Sequence, residues 1–187
     1  MPRPPTDKRE RVIHAAVNAV HAQGFHSSTL ADIARSAGVP VGSVYYFFKA
    51  KQDLGLAVID AHLAHQDGLQ QQWAALDGPQ ARLAAFLQMT LDHADALVEH
   101  GCPVGTLCAE LRKEPGPLGE RAARIFQVLL DWLEAQFREL GHGTAARGRA
   151  EHLLGAVQGA TLLAHTFGDA TYLDREVERL TRWIQSP

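Results

Sequence analysis

The stretch Thr29–Phe48, TLADIARSAGVPVGSVYYFF, predicts two short helices joined by a glycine turn. Apolar residues with the i, i+3, i+4, i+7 spacing of one helical face define the first helix: Leu30, Ile33, Ala34 and Ala37. Thr29 and Asp32 have the pattern of a capping box at its start. We expect Gly38 to end this helix, because glycine readily adopts the left-handed conformation, and Pro40 suits the first position of the next helix.

The spacing around Gly38 is typical of a helix-turn-helix. Ala34 places a small residue where the two helices approach, and Val44 fills the core between them. The remaining surface of the second helix combines small, hydroxyl and aromatic groups that fit a major groove: Val41, Gly42, Ser43, Tyr45 and Tyr46. Lys49 and Lys51 follow and are placed to meet phosphates. The alternative to a DNA-reading device is an ordinary helical hairpin inside a core.

Length and composition are those of a globular protein. A chain of 187 residues with 46% hydrophobic and 21% charged residues is long enough and apolar enough to bury a core. The N-terminal MPRPPTDKRE lacks an apolar leader and no run reaches the length of a membrane span, so we expect a cytoplasmic protein without a membrane partner. The two cysteines are expected to be reduced thiols.

The distribution of charge favours a nucleic-acid partner although the net charge is −3. Residues 1–51 carry seven basic and three acidic side chains, a net charge of +4. The remaining residues carry 11 basic and 18 acidic side chains, a net charge of −7. A basic N-terminal quarter on an acidic body indicates a protein that presents one end to DNA.

Residues 8–55 resemble the DNA-binding domain of the tetracycline-repressor (TetR) family of transcriptional regulators. The residues that carry the resemblance are Gly24–Phe25, Thr29–Ala34, Gly38–Val39, Gly42–Phe48, Lys49–Lys51 and Leu54. The resemblance implies an all-α homodimer of about nine helices, which binds a near-palindromic double-stranded operator and releases it when a small-molecule effector binds. The domains would then be residues 1–51, with the helix-turn-helix at about 29–48, and residues 52–187, which bind the effector and dimerise.

The resemblance also implies which side chains face DNA. It adds Thr29 to the pattern-based set and supports Ser43, Tyr45, Tyr46, Lys49 and Lys51. Position 41 departs from the family, in which a polar residue is frequent there. Val41 would instead contact a thymine methyl group.

The rest of the chain shows further helical patterns. The first helix of the fold is expected from after Thr6 to about Gln23, with Phe25 as a buried anchor. Beyond Lys51 a long helix is expected, reaching Trp73 or Leu76. Further helices are expected from Pro79 to about Glu99, over a short segment to about Lys113, and over Leu118–Leu140, Thr144–Phe167 and Thr171–Gln185. A capping box, Thr171 with Asp174, is expected to start the last of these.

The last two helices are the predicted dimer surface, because the first of them is apolar on several faces. The interface candidates are Leu154, Val157, Ala160, Leu163, Val177, Leu180, Trp183 and Ile184. The alternative is that both helices complete the core of a monomer.

Candidates for an effector pocket are aromatic, sulfur-containing and histidine side chains. They are Trp73, Phe86, Met89, His93, Cys102, Cys108, Phe126 and Trp132. At helical spacing such residues are also typical of a core. Cys102 stands where a helix N-cap is expected, and its Gly-Cys segment resembles a TetR branch in which a similarly placed cysteine senses electrophiles or oxidants. The cysteines therefore have two interpretations. Cys102 is a reactive thiol in a thiol-based sensor, or both cysteines are small buried hydrophobic residues.

Other classes of function receive less support from the sequence. The histidines show no ligand set with metal-site spacing, so we expect no metal and no cofactor. For an enzyme the only candidate pair is Cys102 with His100, and no group to stabilise an oxyanion is identified, so we expect no enzymatic activity. A protein-interaction scaffold explains the later helices and leaves residues 1–51 unexplained.

Overall fold

The computed structural model describes residues 5–113 and 116–185, and within them the chain forms ten α-helices and one 3-10 helix, with no β-strand. The all-α class is thereby confirmed. The helices are α1 (Pro5–Gln23), α2 (Leu30–Ala37), α3 (Val41–Phe47), α4 (Lys51–Ala74), α5 (Gly78–Asp92), α6 (Ala94–His100), α7 (Pro103–Leu111), α8 (Pro117–Glu139), a 3-10 helix (Gly143–Ala145), α9 (Ala146–Phe167) and α10 (Thr171–Gln185). The first four residues of the predicted 1–51 domain lie outside the described residues.

The described residues form two compact units. Unit 1 contains residues 5–64, 103–113 and 116–125, and unit 2 contains residues 65–102 and 126–185. Two of the three boundaries fall inside α4 and inside α8, so each of these helices contributes residues to both units, and the third lies directly before α7. The functional division predicted between residues 51 and 52 stays a prediction.

Unit 1 is built around the N-terminal helices. Val12 of α1, Val44 of α3 and Val58 of α4 are fully buried in one hydrophobic cluster, to which α7 adds Leu107. Phe25 is the predicted anchor, and it is only 6% exposed. The cluster therefore joins α1, α2 and α3 to α7, a helix about 50 residues further along the chain.

Unit 2 has a core of its own. Its main cluster joins Leu83 of α5, Leu133 and Phe137 of α8, Leu153 of α9 and Leu180 of α10. A smaller cluster packs α6 against α9 and α10 through Leu97, Ala160, Ala164 and Leu173. Helical periodicity explains this burial, because apolar residues spaced by one turn share the side of each helix that faces the core, and α9 contributes to both clusters.

The helix predicted from Pro79 to about Glu99 is in fact two helices, α5 and α6, which are separated at His93. His93 has φ −110° and ψ 14°, outside the helical region, and its backbone N–H donates to Leu91 O. Its ring Nδ1 lies 2.8 Å from Met89 O and takes the place that its own backbone N–H would hold in a continuous helix. A side chain that competes for the backbone carbonyl thus ends α5.

Two smaller predictions also need correction. Pro40 precedes α3 with ψ 142°, so Val41 and not Pro40 is the first helical residue. At the start of α10 the carboxylate of Asp169 accepts hydrogen bonds from the Thr171 N–H (2.9 Å) and hydroxyl (2.8 Å). Asp169, not the Thr171 and Asp174 pair, is therefore the capping group there. None of the described helices is both long enough and apolar enough to cross a membrane.

Candidate nucleic-acid interface

The helix α2 begins at a side-chain cap. The Thr29 hydroxyl accepts a hydrogen bond of 3.1 Å from the Asp32 N–H and donates one of 2.5 Å to the Asp32 carboxylate. The Thr29 hydroxyl, together with Arg35 and the Thr29 backbone, lowers the pKa of Asp32 below its ordinary value. The cap keeps Thr29 exposed at the N-terminus of α2, where positive partial charge favours an anion such as a phosphate.

The turn between α2 and α3 is set by Gly38. With φ 62° and ψ 39° it is left-handed, and its N–H donates to Arg35 O at 3.1 Å. The next N–H, of Val39, donates to Ala34 O at 3.0 Å, which completes a Schellman motif. Val39 is buried beside Ala34, so the angle between α2 and α3 is defined by hydrogen bonds and by packing.

The helix α3 buries one residue and exposes the predicted reading face. Val44 is fully buried, whereas Val41, Tyr45 and Tyr46 are 45%, 51% and 72% exposed. An added side chain at Gly42 would meet no atom within 4 Å, so the surface there is open to a close partner. Large apolar and aromatic groups exposed together on a short helix are unusual unless they contact something.

The remaining polar candidates differ in their surroundings. Ser43 is half-buried and Lys49 is exposed, with its ammonium 5.8 Å from the centroid of the Tyr46 ring. Lys51 is half-buried, and its Nζ donates a 2.8 Å hydrogen bond to His26 O. The structure thus brings Lys49 and Tyr46 together at one surface, and it engages Lys51 within unit 1.

The pocket candidates are divided among several places. Trp73 and Phe86 are buried with ring centroids 6.2 Å apart, and Trp132 lies 5.1 Å from Trp73, so these three rings fill core space in unit 2. Met89 and Phe126 pack against the same cluster. His93 is exposed at the break between α5 and α6.

The two cysteines are both half-buried, and neither is part of a disulfide. Cys102 directly precedes α7 and belongs to unit 2. Cys108 lies within α7 in unit 1, where its thiol donates a 3.3 Å hydrogen bond to Ala122 O. Cys108 therefore does not belong with the aromatic candidates of unit 2.

A surface groove lies between α8 and α9 in unit 2. Phe126 and Leu130 of α8 line one side, and Leu154, Gly155 and Gln158 of α9 line the other, with Glu151 at the polar end. Phe126 is the one predicted pocket residue among these lining residues. Within the described residues, no group of three or more His, Cys, Asp or Glu side chains is arranged to hold a metal ion.

Most of the predicted dimer-interface side chains face inward. Six of them are at most 7% exposed in the single chain, which leaves them almost no surface for a partner: Leu154, Val157, Ala160, Val177, Leu180 and Ile184. Trp183 is half-buried beneath the Arg149 guanidinium, which lies 4.2 Å from its ring centroid. Leu163 is the exception, at 44% exposed.

The exposed apolar face of α9 contains Leu163 and two residues outside the predicted set. Leu162 and Phe167 are 65% and 63% exposed, beside Leu163. Added side chains at Gly155 and Gly159 would meet no atom within 4 Å, so the backbone itself is open along this face. The sequence carried a signal for this face, since α9 is apolar on more than one side, but periodicity alone does not say which stripe the protein buries.

A capped helix, a Schellman turn and a short helix with exposed tyrosines beside a lysine define a helix-turn-helix DNA-binding protein. The family model of bacterial regulatory proteins of the tetR family matches residues 12–58. The model of the C-terminal domain of LmrA/YxaF-like transcriptional regulators matches residues 79–179, more than half of the chain. The chain belongs to the TetR family and is a DNA-binding transcriptional regulator.

Individual relatives agree with this assignment. The chain is 35% identical to the transcriptional regulator AcuR of Cereibacter sphaeroides, over 66% of its own length and 56% of AcuR. It is 28% identical to the HTH-type regulator YxaF of Bacillus subtilis, over 89% of its own length and 90% of YxaF. The crystal structure of a regulatory protein TetR from Rhodobacter sphaeroides has a TM-score of 0.82 with 26% identity and covers 93% of this chain and 97% of that one.

Proposed function

We propose that the protein is a repressor that binds a near-palindromic operator as a homodimer and releases it when a small molecule binds unit 2. The observation that carries this proposal is the face of α3, on which Val41, Tyr45 and Tyr46 are exposed beside Lys49. In a DNA-binding regulator the major groove suits such a face.

The side chains of this face suit different parts of a duplex. Val41 lies at the N-terminal end of α3, where its methyl groups can contact a thymine methyl, and the tyrosines offer hydroxyls to base edges or phosphates. Lys49 and Thr29 suit backbone phosphates, and Gly42 allows the DNA to approach α3 closely. Ser43, half-buried, completes the proposed contact set. We assign Lys51 a supporting role, because His26 O already accepts a hydrogen bond from its ammonium.

A single helix-turn-helix makes few contacts with base edges, so sequence-specific binding requires a second one. Two heads related by a twofold axis would meet successive major grooves on one side of the duplex, about 34–36 Å apart. The exposed face of α9, with Leu162, Leu163 and Phe167 beside Gly155 and Gly159, supports a homodimer, because burial of this face against its twofold copy would remove apolar surface from water.

Regulation follows from the helices shared by the two units. Because α4 and α8 each contribute to both units, an effector that binds better to one arrangement of the unit 2 helices would also select an orientation of the head. We therefore expect effector and operator to exclude each other. The effector site would lie at the groove that Phe126 and Leu130 of α8 line with α9 in unit 2.

The decisive experiment is selection of bound duplexes from a random pool, followed by footprinting of the selected site. We expect a palindromic sequence protected on one side of the helix. The substitution Val41→Glu places a negative charge on the reading face and should abolish the selection, whereas Ala84→Glu, at an exposed position of α5, should leave it unchanged. Recovery of no preferred sequence by the unmodified protein at modest ionic strength would refute the proposal.

A thiol-based sensor remains the second candidate mode of regulation. The observation that favours it is the position of Cys102, partly exposed and directly before the first residue of α7. Treatment of the native protein with N-ethylmaleimide followed by mass spectrometry tests this. Selective labelling of Cys102 with loss of operator binding supports a thiol sensor, and an unlabelled native Cys102 excludes it.

A further inference from the structure

The turn between α1 and α2, residues 24–28, is held by a carboxylate from a distant part of the sequence. The Glu110 side chain accepts a 2.7 Å hydrogen bond from the Phe25 N–H at one oxygen and a 2.8 Å hydrogen bond from the His26 N–H at the other. Glu110 lies on α7, 85 residues beyond Phe25, and both belong to unit 1. Hydrogen bonds from two backbone N–H groups to one charged acceptor are among the stronger contacts available to a turn.

The turn is shaped to receive this carboxylate. Gly24 has φ 85°, and a Cβ at this position would lie 3.1 Å and 3.3 Å from the two carboxylate oxygens of Glu110. A side chain here would be strained at this positive φ and would crowd the carboxylate, so glycine suits the position best. The remaining polar groups are also engaged, since the Ser28 hydroxyl donates to Gly24 O at 2.7 Å and Lys51 donates to His26 O.

Residues 24–28 lead directly into the helix-turn-helix formed by α2 and α3. Ser28 is followed by Thr29, the N-cap of α2, so the path of residues 24–28 sets where α2 begins relative to α1. Without the Glu110 carboxylate, the Phe25 and His26 N–H groups would donate hydrogen bonds to water instead. Residues 24–28 would then sample more conformations. The orientations of α2 and α3 would then spread over a wider range.

The helix that supplies Glu110 is connected to the second unit. Immediately before α7 the chain belongs to unit 2, whose first segment ends at Cys102, and α7 itself is only nine residues long. Glu110 therefore lies about 12 Å along α7 from this boundary, at the rise of an α-helix.

We propose that Glu110 is a positioning residue for DNA recognition: its carboxylate holds the α1–α2 turn so that α2 and α3 fit the operator. The proposal rests on the proposed operator binding. Glu110 has a different role from the exposed residues of α3, because it orients the helix-turn-helix and does not itself contact DNA.

The test compares Glu110→Gln, which keeps the side-chain volume but replaces one acceptor oxygen with an amide NH₂, with Glu120→Gln as a matched control. Glu120 is an exposed carboxylate on α8 in the same unit, so its substitution removes the same charge. For each full-length variant we would measure amide hydrogen exchange at Phe25 and His26, affinity for the selected operator, and affinity for a scrambled duplex of the same length.

We expect Glu110→Gln to speed exchange at these two amides by about tenfold or more. Operator affinity should fall by about tenfold, while affinity for the scrambled duplex, which depends on phosphates, should stay within about twofold. Simple loss of folded protein would lower both affinities together and leave their ratio unchanged. Glu110→Asp, which keeps the charge on a shorter side chain, should recover part of the operator affinity.

Three results would overturn the proposal. The first is a Glu110→Gln protein that exchanges faster at Phe25 and His26 but binds the operator as tightly as Glu120→Gln. Operator binding would then not depend on the turn, and Glu110 would have no positioning role. The second is an equal fall in affinity for both duplexes. The third is failure of the unmodified protein to prefer any duplex, which refutes the proposed function itself and the positioning role with it.

Discussion

The ammonium of Lys51 lies 5.0 Å from the centroid of the Phe25 ring and donates to the carbonyl of the neighbouring His26. Lys51 is thus engaged in a cation–π contact and a hydrogen bond that hold the α1–α2 turn against the start of α4. Lys49, two residues earlier, is exposed beside Tyr46. Two lysines that look equivalent in the sequence therefore have different surroundings.

The first prediction separates these two lysines by salt dependence. Lys49→Gln removes a phosphate contact, so the slope of log affinity against log salt concentration should become shallower by about 1. Lys51→Gln should leave that slope close to the parental value and lower the melting temperature by a few degrees, about the effect of 1 kcal/mol. Operator titrations at several salt concentrations and thermal melts measure both. A shallower slope for Lys51→Gln with an unchanged melting temperature would contradict the assignment.

The second prediction concerns the room that Gly55 leaves for Phe25. A Cβ at Gly55 would lie 2.9 Å from Cε2 and 3.0 Å from Cζ of this buried ring. We expect Gly55→Ala to lower the free energy of unfolding by about 1–3 kcal/mol through overpacking, as measured by urea denaturation. Gly68→Ala in the same helix is the control, because its Cβ would meet no atom within 4 Å. There helix propensity should add up to about 1 kcal/mol, so equal effects of the two substitutions would exclude the steric explanation.

The third prediction tests the exposed face of α9 as the dimer surface. Leu162→Glu places a charge on a residue that is 65% exposed in the single chain. Since symmetry repeats the change in both copies, we expect dimerisation to weaken by about 100-fold or more. Sedimentation or light scattering over a dilution series measures this, with Ala84→Glu as the control. A Leu162→Glu protein that dissociates at the same concentration as the parent would remove α9 from the interface.

The fourth prediction concerns pH. Burial, and secondarily the positive charge of Arg149, lower the pKa of His142 below its ordinary value of 6.5. In the interval below pH 6.5 the unfolded chain therefore binds a proton at this histidine that the folded chain does not. Stability consequently falls as the pH decreases through that interval and recovers as the pH rises.

His142→Gln removes this contribution. Its free energy of unfolding should decline less than that of the parent between about pH 7 and pH 5.5. Urea denaturation across this range measures the difference, and parallel curves for the two proteins would show that His142 does not contribute. Asp32 and Asp169 affect stability in a separate pH range, because hydrogen bonds lower the pKa values of their carboxyl groups. Their stabilising contribution is lost as the pH falls below 3.8.

The helix-turn-helix was predictable because its determinants are local. Thr29 caps α2 through Asp32, three residues away, and Gly38 ends it through carbonyls within the preceding turn. The burial of Val44 and the exposure of Tyr45 and Tyr46 follow from periodicity over seven residues. Interactions this short in sequence are visible in the amino-acid order itself.

The break at His93 and the cap at Asp169 also depend on near neighbours, yet the sequence pattern did not reveal them. His93 keeps the apolar period of α5 nearly continuous into α6, so periodicity predicted one helix. The deciding contact is the ring nitrogen at Met89 O, which depends on a side-chain rotamer. Rotamers are chosen by the surrounding packing, and the sequence does not display them.

By itself the sequence determined an all-α protein with a capped helix-turn-helix in a basic N-terminal segment and a tyrosine-bearing face on its second helix. Tertiary structure alone decided that Glu110 binds the Phe25 and His26 N–H groups, that Lys51 turns back onto the same segment, and that Leu162 and Phe167 form the open face of α9. The physical reason is that helix caps and apolar stripes arise from residues within one or two turns. Which stripe is covered, and which backbone group a distant carboxylate reaches, depends on neighbours tens of residues away.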